Sequence, residues 1–92
     1  MVGPMIYTVV LTREEDGRYS VSVPALPGCL TWGETPDEAL LMAEDAIQGY
    51  LEVLEEDGKP IPPDAPDVQV STRESPQVIV CRLPVRLEAQ VA

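Results

Sequence analysis

The sequence predicts an α+β domain: an antiparallel β-sheet with one main helix packed on one face, in the order β-β-β-α-β. Three observations carry that reading. Residues 5–13 and 18–23 alternate in polarity on either side of the turn Glu14-Glu15-Asp16-Gly17, the pattern of a hairpin. Residues 36–57 place their apolar positions at helical spacing. A late stretch, 77–83, is again apolar and rich in β-branched residues.

The first strand sets Ile6, Thr8, Val10 and Thr12 on one face against Tyr7, Val9, Leu11 and Arg13 on the other. The second puts Tyr19, Val21 and Val23 together. Pro24, Pro27 and Gly28 then break the ladder, because proline has no amide donor and glycine permits a sharp bend. Residues 29–33, Cys29-Leu30-Thr31-Trp32-Gly33, make a short third strand. The helix opens on Thr35-Pro36-Asp37-Glu38, an N-cap threonine, a proline at the first helical position and a glutamate three after the cap. It stops at Asp57-Gly58, with Pro60 beyond. Residues 59–66 hold four prolines and read as an extended connection. Residues 68–72 and 77–83 read as two further strands around the turn Thr72-Arg73-Glu74-Ser75-Pro76.

At 100° per residue the helix divides in two. Leu40, Ala43, Ile47, Tyr50, Leu51 and Leu54 form the side that faces a sheet. Met42, Ala46, Gly49 and Val53 extend it, either as a face for a second subunit or as a helix sunk deeper into its own sheet. The other arc holds the acids, with Leu41 in their midst.

Six Lys and Arg against 16 Asp and Glu give a net charge of −10. Eleven of the acids and one base, Lys59, fall within residues 34–67, so the middle of the chain carries the whole excess. Such a surface repels phosphate backbones and favours a basic partner, which argues against direct nucleic-acid binding. There is no histidine, hence no histidine base and no imidazole metal site. The acids lie on one solvated helix face and in turns, so no metal ligand set, cofactor site or catalytic residue is expected. Cys29 and Cys81 stand 52 positions apart and read as small apolar residues in a reducing cytoplasm. No apolar run is long enough to span a bilayer, and the first residues lack the basic start of a signal peptide.

Several of these residues also carry a resemblance. Tyr7-x-Val9, Glu15-Asp16-Gly17-x-Tyr19-x-Val21 and Val23-Pro24-Ala25-Leu26-Pro27-Gly28-Cys29 follow one another, then Thr31-x-Gly33-x-Thr35-x-Asp37-Glu38-Ala39, Tyr50-Leu51-Glu52-x-Leu54, Asp57-Gly58 and Pro60-Ile61-Pro62. Over residues 6–62 the chain resembles the N-terminal domain of HicB-like antitoxins. The resemblance implies a partial ribonuclease-H-like sheet without the strand carboxylates that such a fold uses for metal. It also implies a partner, a small basic HicA-like toxin that cleaves messenger RNA. Trp32 departs from the family, where a polar residue is common. The whole chain, 1–92, is expected to be one such domain with no complete C-terminal DNA-binding domain.

The expected function is non-catalytic neutralisation of that toxin by a cytoplasmic homodimer or tetramer. The partner surface is expected at Glu38, Leu41, Asp45, Glu52, Glu56 and Trp32. Two other readings stand beside it: an orphan homo-oligomer with another protein partner, and a degenerate ribonuclease-H-like hydrolase.

Overall fold

The structure, a computed structural model, describes residues 5–66 and 77–85. Its elements run β1 (Met5–Arg13), β2 (Tyr19–Ser22), β3 (Leu30–Gly33), α1 (Pro36–Glu56) and β4 (Val78–Val85). The four strands form one antiparallel sheet in the order β3-β2-β1-β4, with α1 on one face. The β-β-β-α-β reading holds: β1 keeps both its expected ends, and the ends of the other strands move by two residues at most. The expected strand at 68–72 and the turn after it lie outside the described residues.

The alternation in β1 becomes the core. Tyr7, Val9 and Leu11 are fully buried beneath α1 with Val21, Val23, Leu26 and Val85. From the helix come Ala39, Ala43, Ile47 and Leu51, one residue per turn along a single line. The face away from the helix carries Ser20 and Ser22 on β2, with Trp32 and Leu30 directly opposite them on β3.

Both ends of α1 close as their residues dictate. At the start, Thr35 is the N-cap in extended backbone, and its Oγ1 accepts from the Glu38 amide at 3.1 Å. The Glu38 carboxylate turns back to accept from the Glu34 amide at 2.6 Å. At the end, Asp57 is the C-cap and Gly58 adopts φ +71°, the left-handed conformation that L-residues resist. The Gly58 amide then reaches the Glu55 carbonyl at 3.1 Å and the Lys59 amide reaches Leu54 at 2.8 Å. Midway, the Tyr50 hydroxyl donates to the Pro27 carbonyl at 2.8 Å and ties the helix to the loop before β3.

β4 runs on through Pro84, two residues past the expected end at Leu83. The reason lies in the direction of its amides. Arg13 donates to the Gln77 carbonyl at 3.0 Å, so odd-numbered residues of β1 and β4 bond one another. Pro84, an even-numbered residue, turns its missing donor to the outer edge, where no rung of the β1 ladder needs it.

Candidate functional site

The acidic arc of α1 is solvent-facing. Leu41 is 67% exposed, and Glu38, Asp45 and Glu56 are exposed around it along the helix, with Glu52 half-buried. Spacings of seven and four keep Asp45, Glu52 and Glu56 on one line of the helix surface. Five of the six expected partner residues thus share one face. A bare leucine among carboxylates has the layout of an interface anchor within a charged rim.

The sixth, Trp32, stands on the opposite face of the sheet, 53% exposed. The Arg18 guanidinium lies over its ring at 4.0 Å from the centroid, where a cation is attracted to the π face. Arg18 is itself held by Asp16, Nη2 to Oδ2 at 2.8 Å. Trp32 and Glu38 meet in one shallow cleft, lined also by Arg18, Gly33 and Glu34, at the N-terminal end of the helix. Tryptophan and acidic face are therefore contiguous around that end.

Alongside the acids runs an apolar strip that the sequence reading only half identified. Met42, Gly49 and Val53 are exposed, so this side of the helix is not sunk in its own sheet. A groove there is lined by Gly28, Cys29, Leu30, Asp45, Ala46, Gly49, Tyr50 and Val53. Leu30, 70% exposed, was missed as a site residue. The signal was present, since alternation through 29–33 puts it on the same face as Trp32. Cys29 beneath is buried, and burial pushes its thiol pKa up.

Asp64 was also missed, because its partner is distant in sequence. β2 ends opposite Val10, leaving the next inward-turning amide of β1, at Thr8, without a strand beside it. Asp64 fills that place: Oδ1 accepts from the Thr8 amide at 2.7 Å and Oδ2 from its hydroxyl at 2.8 Å. Burial opposes ionisation of this carboxyl. The two Thr8 bonds, the Ala65 amide and the Arg82 charge outweigh burial and hold its pKa below the usual value. Next to it, the Tyr7 hydroxyl donates to the Pro62 carbonyl, and its pKa is raised by burial and then by the Asp64 charge. Together these bonds fasten the connection after α1 onto the sheet.

Among the described residues no group of three or more His, Cys, Asp or Glu is placed to hold a metal, and no helix is long and apolar enough to cross a membrane.

Comparison with known proteins fits this architecture. A UPF0150 protein of Thermoplasma acidophilum is 52% identical over 60 residues, covering 65% of this chain and 87% of that protein. The crystal structure of the N-terminal domain of Burkholderia pseudomallei antitoxin HicB superposes with a TM-score of 0.67 at 26% identity, over 90% of this chain and 100% of that one. The fold is also that of a chain in a HicA3–HicB3 toxin-antitoxin complex, with a TM-score of 0.67 at 24% identity over 88% of this chain and 98% of that one. A family model described as the HicB_like antitoxin of bacterial toxin-antitoxin systems matches residues 7–88. The chain belongs to the HicB-like antitoxin family.

Proposed function

We propose that the chain is a non-catalytic antitoxin that binds a small basic HicA-like toxin and neutralises it by covering its working surface with the acidic face of α1. The observation that carries this is Leu41, exposed between Glu38, Asp45 and Glu52, beside an apolar strip of Met42, Gly49, Val53 and Leu30. The carboxylates steer a cationic partner in, and the apolar residues supply the buried area that holds it. In this reading the partner is a protein and not a nucleic acid, since the same charge repels phosphate.

The test uses a purified small basic HicA-like toxin as the partner. Charge reversal of Asp45, Glu52 and Glu56 to lysine slows association and flattens its dependence on salt. Leu41→Ala instead speeds dissociation, because it removes contact area without altering the steering field. In cells the triple variant remains folded and fails to rescue growth from the toxin. A folded triple variant with an unchanged on-rate at low salt would move the site to the sheet around Trp32.

A further inference from the structure

β3 is the outer strand on the acidic side of the sheet, with Glu34, Glu38 and Asp45 beside it. Glu14 donates to the Arg18 carbonyl at 2.7 Å, so even-numbered residues of β1 and β2 bond one another and the odd ones of β2 turn to β3. Tyr19 pairs with Gly33 and Val21 with Thr31, which leaves the amides and carbonyls of Leu30 and Trp32 pointing outward. Among the described residues no strand pairs with that side. The chain leaves the described residues at Met5, Pro66, Gln77 and Val85, at or close to β1 and β4, with β2 between these points and β3. The outward row stops at Glu34, whose amide is taken by the Glu38 carboxylate. β3 has neither charge nor proline to blunt its edge, and Leu30 and Trp32 are also its two exposed side chains. Strand and helix touch at Gly33 and Ala39. Between them a groove opens toward Gly28, Cys29 and Leu30, walled by Ala46, Gly49 and Val53 and with the exposed Asp45 beside it.

We propose that the partner adds an extended segment to this edge as a strand, in register with Leu30 and Trp32, and that the segment runs apolar, basic, apolar. The proposal rests on the partner being a basic protein and names how it is held. Side chains alternate across a sheet, so guest residues opposite Leu30 and Trp32 lie on the face away from the helix, beside an exposed leucine and tryptophan. The guest residue between them, opposite Thr31, turns to the helix side, where the groove runs. A lysine or arginine suits that place, because its methylene stem lies along Ala46, Gly49 and Val53 and its charge reaches Asp45. A second copy of this chain does not suit it. Two such edges would bring Glu34, Glu38 and Asp45 of one against the same acids of the other. The edge offers a guest an amide and a carbonyl from each of its outward residues. Those bonds fix the register, and the alternating side chains supply the selectivity.

The experiment takes the full chain with a purified small basic HicA-like toxin. On binding, hydrogen exchange at the Leu30 and Trp32 amides should slow by about a hundredfold or more, while Thr31 and Gly33, already bonded to β2, change little. Leu30→Pro deletes one outward amide and spares the β2 ladder, whereas Leu30→Ala loses the same side chain and keeps the amide. The proline variant should bind the toxin about tenfold more weakly than the alanine variant, with equal circular dichroism. Unchanged exchange at Leu30 and Trp32 in the complex would overturn the proposal, and that measurement needs no variant to fold. So would a folded Leu30→Pro chain that binds as tightly as Leu30→Ala. In either case a slowed on-rate in the Asp45, Glu52 and Glu56 triple variant would leave the acidic-face reading standing. A wild-type chain that binds no toxin would end both.

Discussion

Gly33 lies where β3 passes beneath the first turn of α1. A Cβ built there would sit 2.5 Å from the Ala39 nitrogen and 2.7 Å from its Cα, both backbone atoms that cannot swing aside. Gly33→Ala must push the helix start off the sheet, and the expected loss is about 1–3 kcal/mol in chemical denaturation, the range of overpacked sites. In the sequence this glycine reads only as a strand end, since the contact that demands it exists once the helix has docked. Asp64 was illegible for a similar reason: Thr8, which it binds, is 56 residues away. Its folded pKa lies below the unfolded value, so its ionised form is favoured in the fold. That contribution is complete above the ordinary carboxylate pKa of about 3.9 and is lost as pH falls through the lowered folded value. Asp64→Asn keeps an acceptor for the Thr8 amide but cannot titrate. Its stability should fall less steeply than that of the wild type as pH is lowered below about 4, measured by denaturant midpoints.

At the scale of elements, α1 was the most legible part because its signals are local. Thr35, Pro36, Glu38 and Gly58 fix its ends within a few residues of themselves, and the spacing of Ala39, Ala43, Ile47 and Leu51 fixes its buried side. Thr35→Ala removes the oxygen that accepts from Glu38 and should cost about 1 kcal/mol. It should also shorten the helix at its first turn, visible as faster amide exchange there. The strands were located to within a residue or two, yet their neighbours were not. Period-two alternation states which residues share a face and says nothing of which strand lies alongside. The end of the last strand was misread at Pro84 because a proline stops a central strand but is tolerated when its nitrogen faces outward. Of the candidate site, the acidic line and Leu41 were readable from helical spacing alone. The join between Trp32 and Glu38 around the helix start was not, since it depends on β3 and α1 meeting at Gly33.

Across the whole molecule, sequence distance and sheet order run against each other. β1 meets β2 through a short turn, with Arg13 opposite Tyr19, whereas its pairing with β4 spans 66 residues at Thr12 and Val78 and 80 at Met5 and Val85. Closing so long a loop costs entropy before any rung rewards it. The hairpin, β3 and α1 can assemble from near neighbours, so β4 should dock after the rate-limiting step. In stopped-flow kinetics Val85→Ala should accelerate unfolding and leave the folding rate nearly unchanged, while Val21→Ala in the hairpin should slow folding. Until β4 arrives, one side of β1 lacks a partner strand, and that interval is when a freshly made chain is open to pairing with the wrong neighbour.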